Sequence, residues 1–239
     1  KQRQAMLFAI DTSNSMGEIV TGSTTRLQLV KQQMVDIIDQ INVLRKDSNV
    51  KVDIAICPWN AGHSLASWID INDSNVTAIK AYINGLSIAG GTDFNGPFVD
   101  ANYWFGTNAN DGRRKDTMVF ITDGEPFPLS SADAAVTTGH DMITRTGQFA
   151  ASNNASVDIY AINVDVSNTT YTQMIDNTPW DGVPVVSSTD TSALYNAVFF
   201  AVMGDSSAMN PAHIVRECLT DPLWGMGYLD SDIDDVAFQ

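Results

Sequence analysis

Apolar runs and amphipathic stretches alternate along this chain, and their periods predict its elements. Ala5–Ile10 is an unbroken apolar run, the pattern of a strand buried on both faces. It stops at Asp11 and opens into a loop, Asp11–Thr25, rich in Ser, Thr and Gly, with Thr24 or Thr25 placed to cap the next segment. From Arg26 to Leu44 the positions Leu27, Val30, Met34, Ile37, Ile38, Ile41 and Leu44 recur at threes and fours, which predicts a long amphipathic helix. Val50–Trp59 predicts the next strand, with Val52, Ile54 and Ile56 on one face and Pro58 ending it. Leu65–Ile71 follows after so short a turn that it suits an antiparallel hairpin partner rather than a crossover.

The alternation continues in the second half. Val76–Leu86 predicts a short helix, Ser87–Asp93 a loop containing Gly90-Gly91-Thr92-Asp93, and Phe94–Phe105 a helix with Gly96 and Pro97 at its start. After the polar loop Gly106–Lys115, Thr117–Thr122 is a second apolar run closed by Asp123 and Gly124, which repeats the strand-then-Asp pattern of Asp11. A helix from Ser130 or Ser131 to Ala151, a strand at Val157–Val164, a short helix at Thr170–Asn177, a short strand at Val183–Val186 and a final helix at Ala193–Met203 complete the series. Strands alternating with helices imply an α/β, doubly wound fold over residues 1–204. Its six strands form a mostly parallel sheet with one antiparallel edge strand and helices on both faces. The pattern changes at Gly204, and residues 205–239 read as a separate C-terminal segment.

Composition narrows the function classes. The 239 residues are 44% hydrophobic, enough for a sizeable core. Thirteen Lys and Arg against 28 Asp and Glu leave a formal net charge of −15. That balance argues against nucleic acid or an anionic membrane as a partner, since both need a basic patch, and it enriches cations near the surface. No apolar stretch reaches the roughly 18 residues that a membrane span requires. Cys57, in an apolar run, and Cys218, near the end, do not make a disulfide framework and read as buried free thiols. The start at Lys1, just before a strand, gives the chain the look of a segment cut from a longer polypeptide, so missing targeting signals carry no weight.

The candidate chemistry lies in three loops, with Asp11-x-Ser13-x-Ser15, Thr92-Asp93 and Asp123. Right-handed crossovers bring the carboxyl ends of all parallel strands to one edge, so Asp11 and Asp123 approach each other if their strands are neighbours at the switch point. Two carboxylates offset a double positive charge, and hydroxyls with water complete an oxygen shell of the kind Mg²⁺ prefers. His63, His140 and His213 are scattered, and no thiol or imidazole cluster points to zinc. Ser, Thr and Asp also favour ordinary turns and caps, so the ordered set of three loops carries the reading rather than any one of them. A G-x-S-x-G elbow, a P-loop and a G-x-G-x-x-G turn are all missing from the sequence. A haloacid-dehalogenase-like phosphatase would need Asp where Ser13 stands. Asp230-x-Asp232-x-Asp234 lacks the glycine and glutamate of an EF-hand loop.

In that order and spacing, DTSNSM, GGTDF and ITDGE resemble the three loops of the von Willebrand factor A domain, over roughly Ala5 to Met203. Together they look like its metal-ion-dependent adhesion site. The resemblance implies that family's Rossmann-like fold and a metal site made of Asp11, Ser13, Ser15, Thr92 and Asp123. It implies Mg²⁺, or else Mn²⁺ or Ca²⁺, held directly by the hydroxyls and often through water by the aspartates. It further implies a protein partner that supplies an acidic residue to the open position, and hence binding rather than catalysis. Asp93 stays outside the set.

The C-terminal stretch Asn210–Tyr228, NPAHIVRECLTDPLWGMGY, resembles a motif of tail-hub or tail-tip proteins of long-tailed bacteriophages. This second resemblance implies a virion protein of the phage tail, whose A domain serves host attachment or tail assembly, with other tail proteins or a host surface receptor as partners. Two other settings stay open. One is an extracellular bacterial surface or pilus adhesin; the other is a chelatase-type subunit that partners an AAA-type ATPase.

Overall fold

The computed structural model describes residues 3–48, 50–107, 114–144, 157–176, 185–186 and 195. The first half of the chain runs β1 (Arg3–Asp11), a 3₁₀ turn (Asn14–Gly17), β2 (Ile19–Thr21), β3 (Thr24–Thr25), α1 (Arg26–Ser48), β4 (Lys51–Trp59), β5 (Ala66–Trp68) and α2 (Asp73–Asn84). It continues with α3 (Asn95–Thr107), β6 (Arg114–Thr122), α4 (Ser130–Thr144), β7 (Val157–Val164), α5 (Thr170–Ile175) and β8 (Val185–Val186). Two units partition the chain, Lys1–Ala201 and Val202–Gln239, and every described residue belongs to the first. The final helix Ala193–Met203 apart from Tyr195, Cys218, the segment 205–239 and its stretch Asn210–Tyr228 lie outside the described residues.

One six-stranded sheet has the order β5-β4-β1-β6-β7-β8. Every pairing is parallel except β4 with β5, so the hairpin partner is the antiparallel edge strand, as the short turn implied. β1 is central and fully buried from Ala5 to Asp11, which is why its sequence reads as an unbroken apolar run. Successive strands step outward from β1 in opposite directions, so the switch point lies between β1 and β6.

Local chemistry explains where the elements begin and end. Thr25 caps α1: its hydroxyl accepts from Gln28 N–H at 3.2 Å, and its own N–H donates to Gln28 Oε1 at 2.8 Å. The loop before it folds into the small β2–β3 hairpin, which turns at Gly22 with φ +56°. That hairpin was not legible, because its strands are too short to show a period. α2 starts at Asp73 rather than Val76, because Asn72 and Asn75 form a reciprocal capping box. Pro58 does not end β4, which runs on to Trp59. Trp59 O accepts from Thr12 N–H on the β1 side, so the adjacent Pro58 turns its missing N–H to the β5 side. There Pro58 O still accepts from Ser64 N–H at 3.3 Å and the pairing runs on to a Trp59–His63 bridge, so the proline forgoes one bond at the sheet's edge and none to β1.

The two faces of the sheet carry separate apolar layers. Ala5, Leu7 and Ala9 of β1 share a core cluster with Phe94, the α3 residues Phe98, Trp104 and Phe105, and Ala132 and Ala135 of α4. Met6, Phe8 and Ile10, also buried, point to the opposite face. Directly beneath the carboxyl edge, Phe120 stacks on Trp59 at 5.0 Å and meets Phe94 edge-on at 5.0 Å, while Trp59 meets Phe94 at 5.5 Å. This aromatic knot ties the ends of β4 and β6 to the start of α3. Cys57 is a buried free thiol, as expected. Among the described residues, no helix is long and apolar enough to cross a membrane.

Phe120→Ala should destabilise the domain by about 3–5 kcal/mol, since the cavity opens among rings that cannot collapse onto it. Lys80→Ala, which breaks a half-exposed pair with Asp39, should cost less than about 1 kcal/mol. Urea denaturation of the two variants checks both the sizes and the order.

Candidate metal centre

Strand register places the two aspartates. β1 and β6 are parallel neighbours whose pairing runs to Ile10–Ile121, so Asp11 ends one strand and Asp123 follows the other at the same edge. Both are buried. Asp11 Oδ1 accepts from Ser13 N–H at 2.7 Å, and Oδ2 accepts from the Thr122 hydroxyl at 2.7 Å. The Ser15 hydroxyl donates to Asp123 Oδ1 at 2.8 Å. Its proton being used, Ser15 accepts from the Ser13 hydroxyl 3.0 Å away. Asp11, Ser13, Ser15 and Asp123 are therefore brought together by one run of short polar contacts across the switch point.

Thr92 reaches this edge through its backbone. Its carbonyl accepts from Phe127 N–H at 2.8 Å, four residues beyond Asp123. The loop that carries it is pinned on the other side by Ala89 N–H to Thr12 O, Ala61 N–H to Gly90 O and Asp93 N–H to Asn60 O, all between 2.8 and 2.9 Å. Gly91 sits at φ +89°, and a Cβ there would collide with Ala61, so only glycine lets the two loops approach this closely. Asp93 uses its carboxylate locally, accepting from Asn95 N–H at 3.0 Å at the entry to α3.

Electrostatics single out the pair of aspartates. Burial, followed by repulsion from Asp123, pushes Asp11 up to about 7 against the hydrogen bonds that favour its charge. Burial also raises Asp123, opposed by the Ser15 hydroxyl and by Arg26. Arg26, at the start of α1, places Nη1 2.9 Å from Asp123 Oδ2 and 2.9 Å from Glu18 Oε2, and Nη2 3.7 Å from Asp165.

The donors present fit a hard divalent cation. They are all oxygens, two of them carboxylates whose charge is incompletely matched, and positive charge placed among them would favour the ionised form of both. Among the described residues no group of three or more His, Cys, Asp or Glu side chains is placed to hold a metal ion, so the set depends on hydroxyls for its remaining donors.

Several contributors were not visible in the sequence. Thr122, which orients Asp11, precedes Asp123 as an ordinary strand threonine. Arg26 left one faint signal: a cation in the first turn opposes the helix dipole and calls for an acidic neighbour.

The raised carboxyls imply a pH dependence with a definite sign. The folded chain holds the Asp11 proton up to about pH 7, whereas the unfolded chain releases it near 3.8. That contribution to stability is complete below pH 3.8 and is lost as pH rises through 7, on the order of 4 kcal/mol. Denaturation in EDTA across pH 4 to 8 should show this decline, and Asp11→Asn should flatten it.

Comparison with known proteins bears on the family and the fold. The family model of the von Willebrand factor type A domain matches residues 6–125, half of the chain. Among solved structures, the conserved hypothetical protein BatB from Bacteroides thetaiotaomicron is similar at 14% identity, over 84% of this chain and 98% of that one, with a TM-score of 0.59. Proximal thread matrix protein 1 from the mussel byssus, with a zinc-occupied MIDAS motif, is similar at 16% identity over 82% of this chain and 45% of that one, with a TM-score of 0.60. The pilus adhesin SpaC from Lactobacillus rhamnosus GG is similar at 14% identity over 83% of this chain and 30% of that one, with a TM-score of 0.59. At these identities the likeness is one of fold, and this chain spans less than half of the byssus and pilus chains. No curated protein matches. With the sheet order, the switch-point aspartates and the matched residues in agreement, the chain belongs to the von Willebrand factor type A domain family.

Proposed function

We propose that the domain binds a protein partner through a divalent cation held by Asp11, Ser13, Ser15, Thr92 and Asp123. One observation carries the reading: two buried carboxylates at the ends of neighbouring parallel strands are joined through two serines into an all-oxygen set. Thr122 and the Ser13 N–H hold Asp11 by both of its oxygens, so its orientation is set before any ligand arrives. Ser13 and Ser15 have freely rotating hydroxyls and turn lone pairs to a cation once their protons swing aside. Bound there, Mg²⁺, Mn²⁺ or Ca²⁺ supplies an electrophilic position for an acidic side chain of the partner. The role we read is binding rather than catalysis, and its support is the presence of a matrix protein and a pilus adhesin among the structures of similar fold.

The setting we favour is a bacteriophage tail-tip or tail-hub protein, on the strength of Asn210–Tyr228, with host attachment or tail assembly as the task. A bacterial surface or pilus adhesin is the second reading. Its support is the presence of a Streptococcus sanguinis minor pilin and a pilus adhesin among the structures of similar fold. Antibody raised against the domain labels phage tails in the first case and the cell surface in the second.

Calorimetric titration with MgCl₂ or MnCl₂ tests the site. The parent chain should bind one ion, and Asp123→Ala should bind none while keeping the parent's circular dichroism. Equal binding by both chains places the ion elsewhere. Once a partner is in hand, EDTA should release it reversibly; capture that persists in excess EDTA rules out a bridging ion.

A further inference from the structure

The charge that the site already contains has a consequence for how tightly it takes an ion. Arg26 stands in the first turn of α1, where the helix end is itself positive. Its side chain is only 11% exposed. Nη1 lies 2.9 Å from Asp123 Oδ2 and 2.9 Å from Glu18 Oε2, and donates to Ser15 O at 3.2 Å. Nη2 lies 3.7 Å from Asp165 Oδ2. Nε is buried with no hydrogen-bond partner, so the guanidinium is held here by the carboxylates around its Nη atoms and not by full satisfaction of its donors.

We infer that Arg26 is a tethered counter-cation of the metal centre, which neutralises Asp123 when no ion is present and opposes an incoming ion through the same carboxylate. The inference rests on the metal reading above. Asp123, Glu18 and Asp165 set three carboxylates around Arg26, Asp11 stands against Asp123 at the end of β1, and Arg26 returns one positive charge. A divalent ion added to that corner meets a fixed like charge at hydrogen-bond distance from one of its carboxylates. The guanidinium and the ion are thus partial substitutes: each offsets the repulsion that the other would otherwise offset, and each weakens the other's hold.

The test uses the whole chain, MnCl₂ and MgCl₂ as probes, and two variants. Arg26→Gln keeps an N–H donor toward Asp123 but removes the charge, and Arg26→Lys keeps the charge. Arg26→Gln should bind Mn²⁺ tighter than the parent by roughly tenfold, which is about 1.4 kcal/mol. In EDTA it should melt below the parent, and saturating Mn²⁺ should close most of that gap. Arg26→Lys should stay near the parent in both measurements. If the parent binds ions and Arg26→Gln binds them equally or more weakly, Arg26 is a brace for Asp123 and the inference falls while the metal site stands. An Arg26→Gln chain that folds only when Mn²⁺ is supplied supports substitution of one cation by the other; a chain that folds under neither condition overturns it. Absence of binding by both parent and Arg26→Gln defeats the metal reading itself.

Discussion

Two buried carboxylates of like charge meet at the switch point of this sheet, and the surrounding structure is arranged around that repulsion. Asp11 and Asp123 are both withdrawn from water, and of the two it is Asp123 that holds a cationic partner, Arg26, among the described residues. The chain moderates the conflict with short hydrogen bonds to each carboxylate oxygen, from Thr122, Ser13, Ser15 and Arg26. Such bonds to ionised groups are stronger than neutral ones but do not cancel the charge. The cation that we propose for this site would relieve that condition, and the hardness of the oxygens would favour a hard ion.

The arrangement is affordable because the scaffold beneath it is rigid. Parallel pairing through Ile10–Ile121 on one side and Asp11–Trp59 on the other fixes where β1 ends to within one residue. Beneath that edge, Trp59, Phe94 and Phe120 lock three chain segments whose loops rise into the site. The Gly90–Phe94 loop is held by backbone bonds to Asn60 and Ala61 on one flank and to Phe127 on the other, so Thr92 arrives on a framework rather than on a free tip. A pocket lined by Thr12, Asn60, His63 and Ser87 opens beside this framework, with His63 tied to Asp100 at 2.8 Å. The partner that we propose would meet this relief as well as the ion.

Much of the site was legible before any coordinates, and the part that was not has a common cause. Asp11, Ser13 and Ser15 stand out because an apolar run ends in them, and Asp123 because a second run does the same. Thr92 was found through its motif and not through its local chemistry, since its approach to the edge depends on Gly91 and on backbone bonds to residues far away in sequence. Arg26 and Thr122 escaped notice because each acts on a carboxylate roughly a hundred residues distant, at separations of 97 and 111. Nothing in a local window records such a contact.

The pattern of apolar positions by itself determined the alternation of strands and helices, and with it a mainly parallel sheet with one antiparallel edge. It did so because period and burial are local properties that each segment carries alone. Tertiary structure alone decided that Pro58 would lie inside a strand, since the direction of its missing N–H depends on which neighbour still needs a bond. It likewise decided that a guanidinium would join the two carboxylates in one buried corner, because charge interaction depends on distance in space and the sequence records distance along the chain.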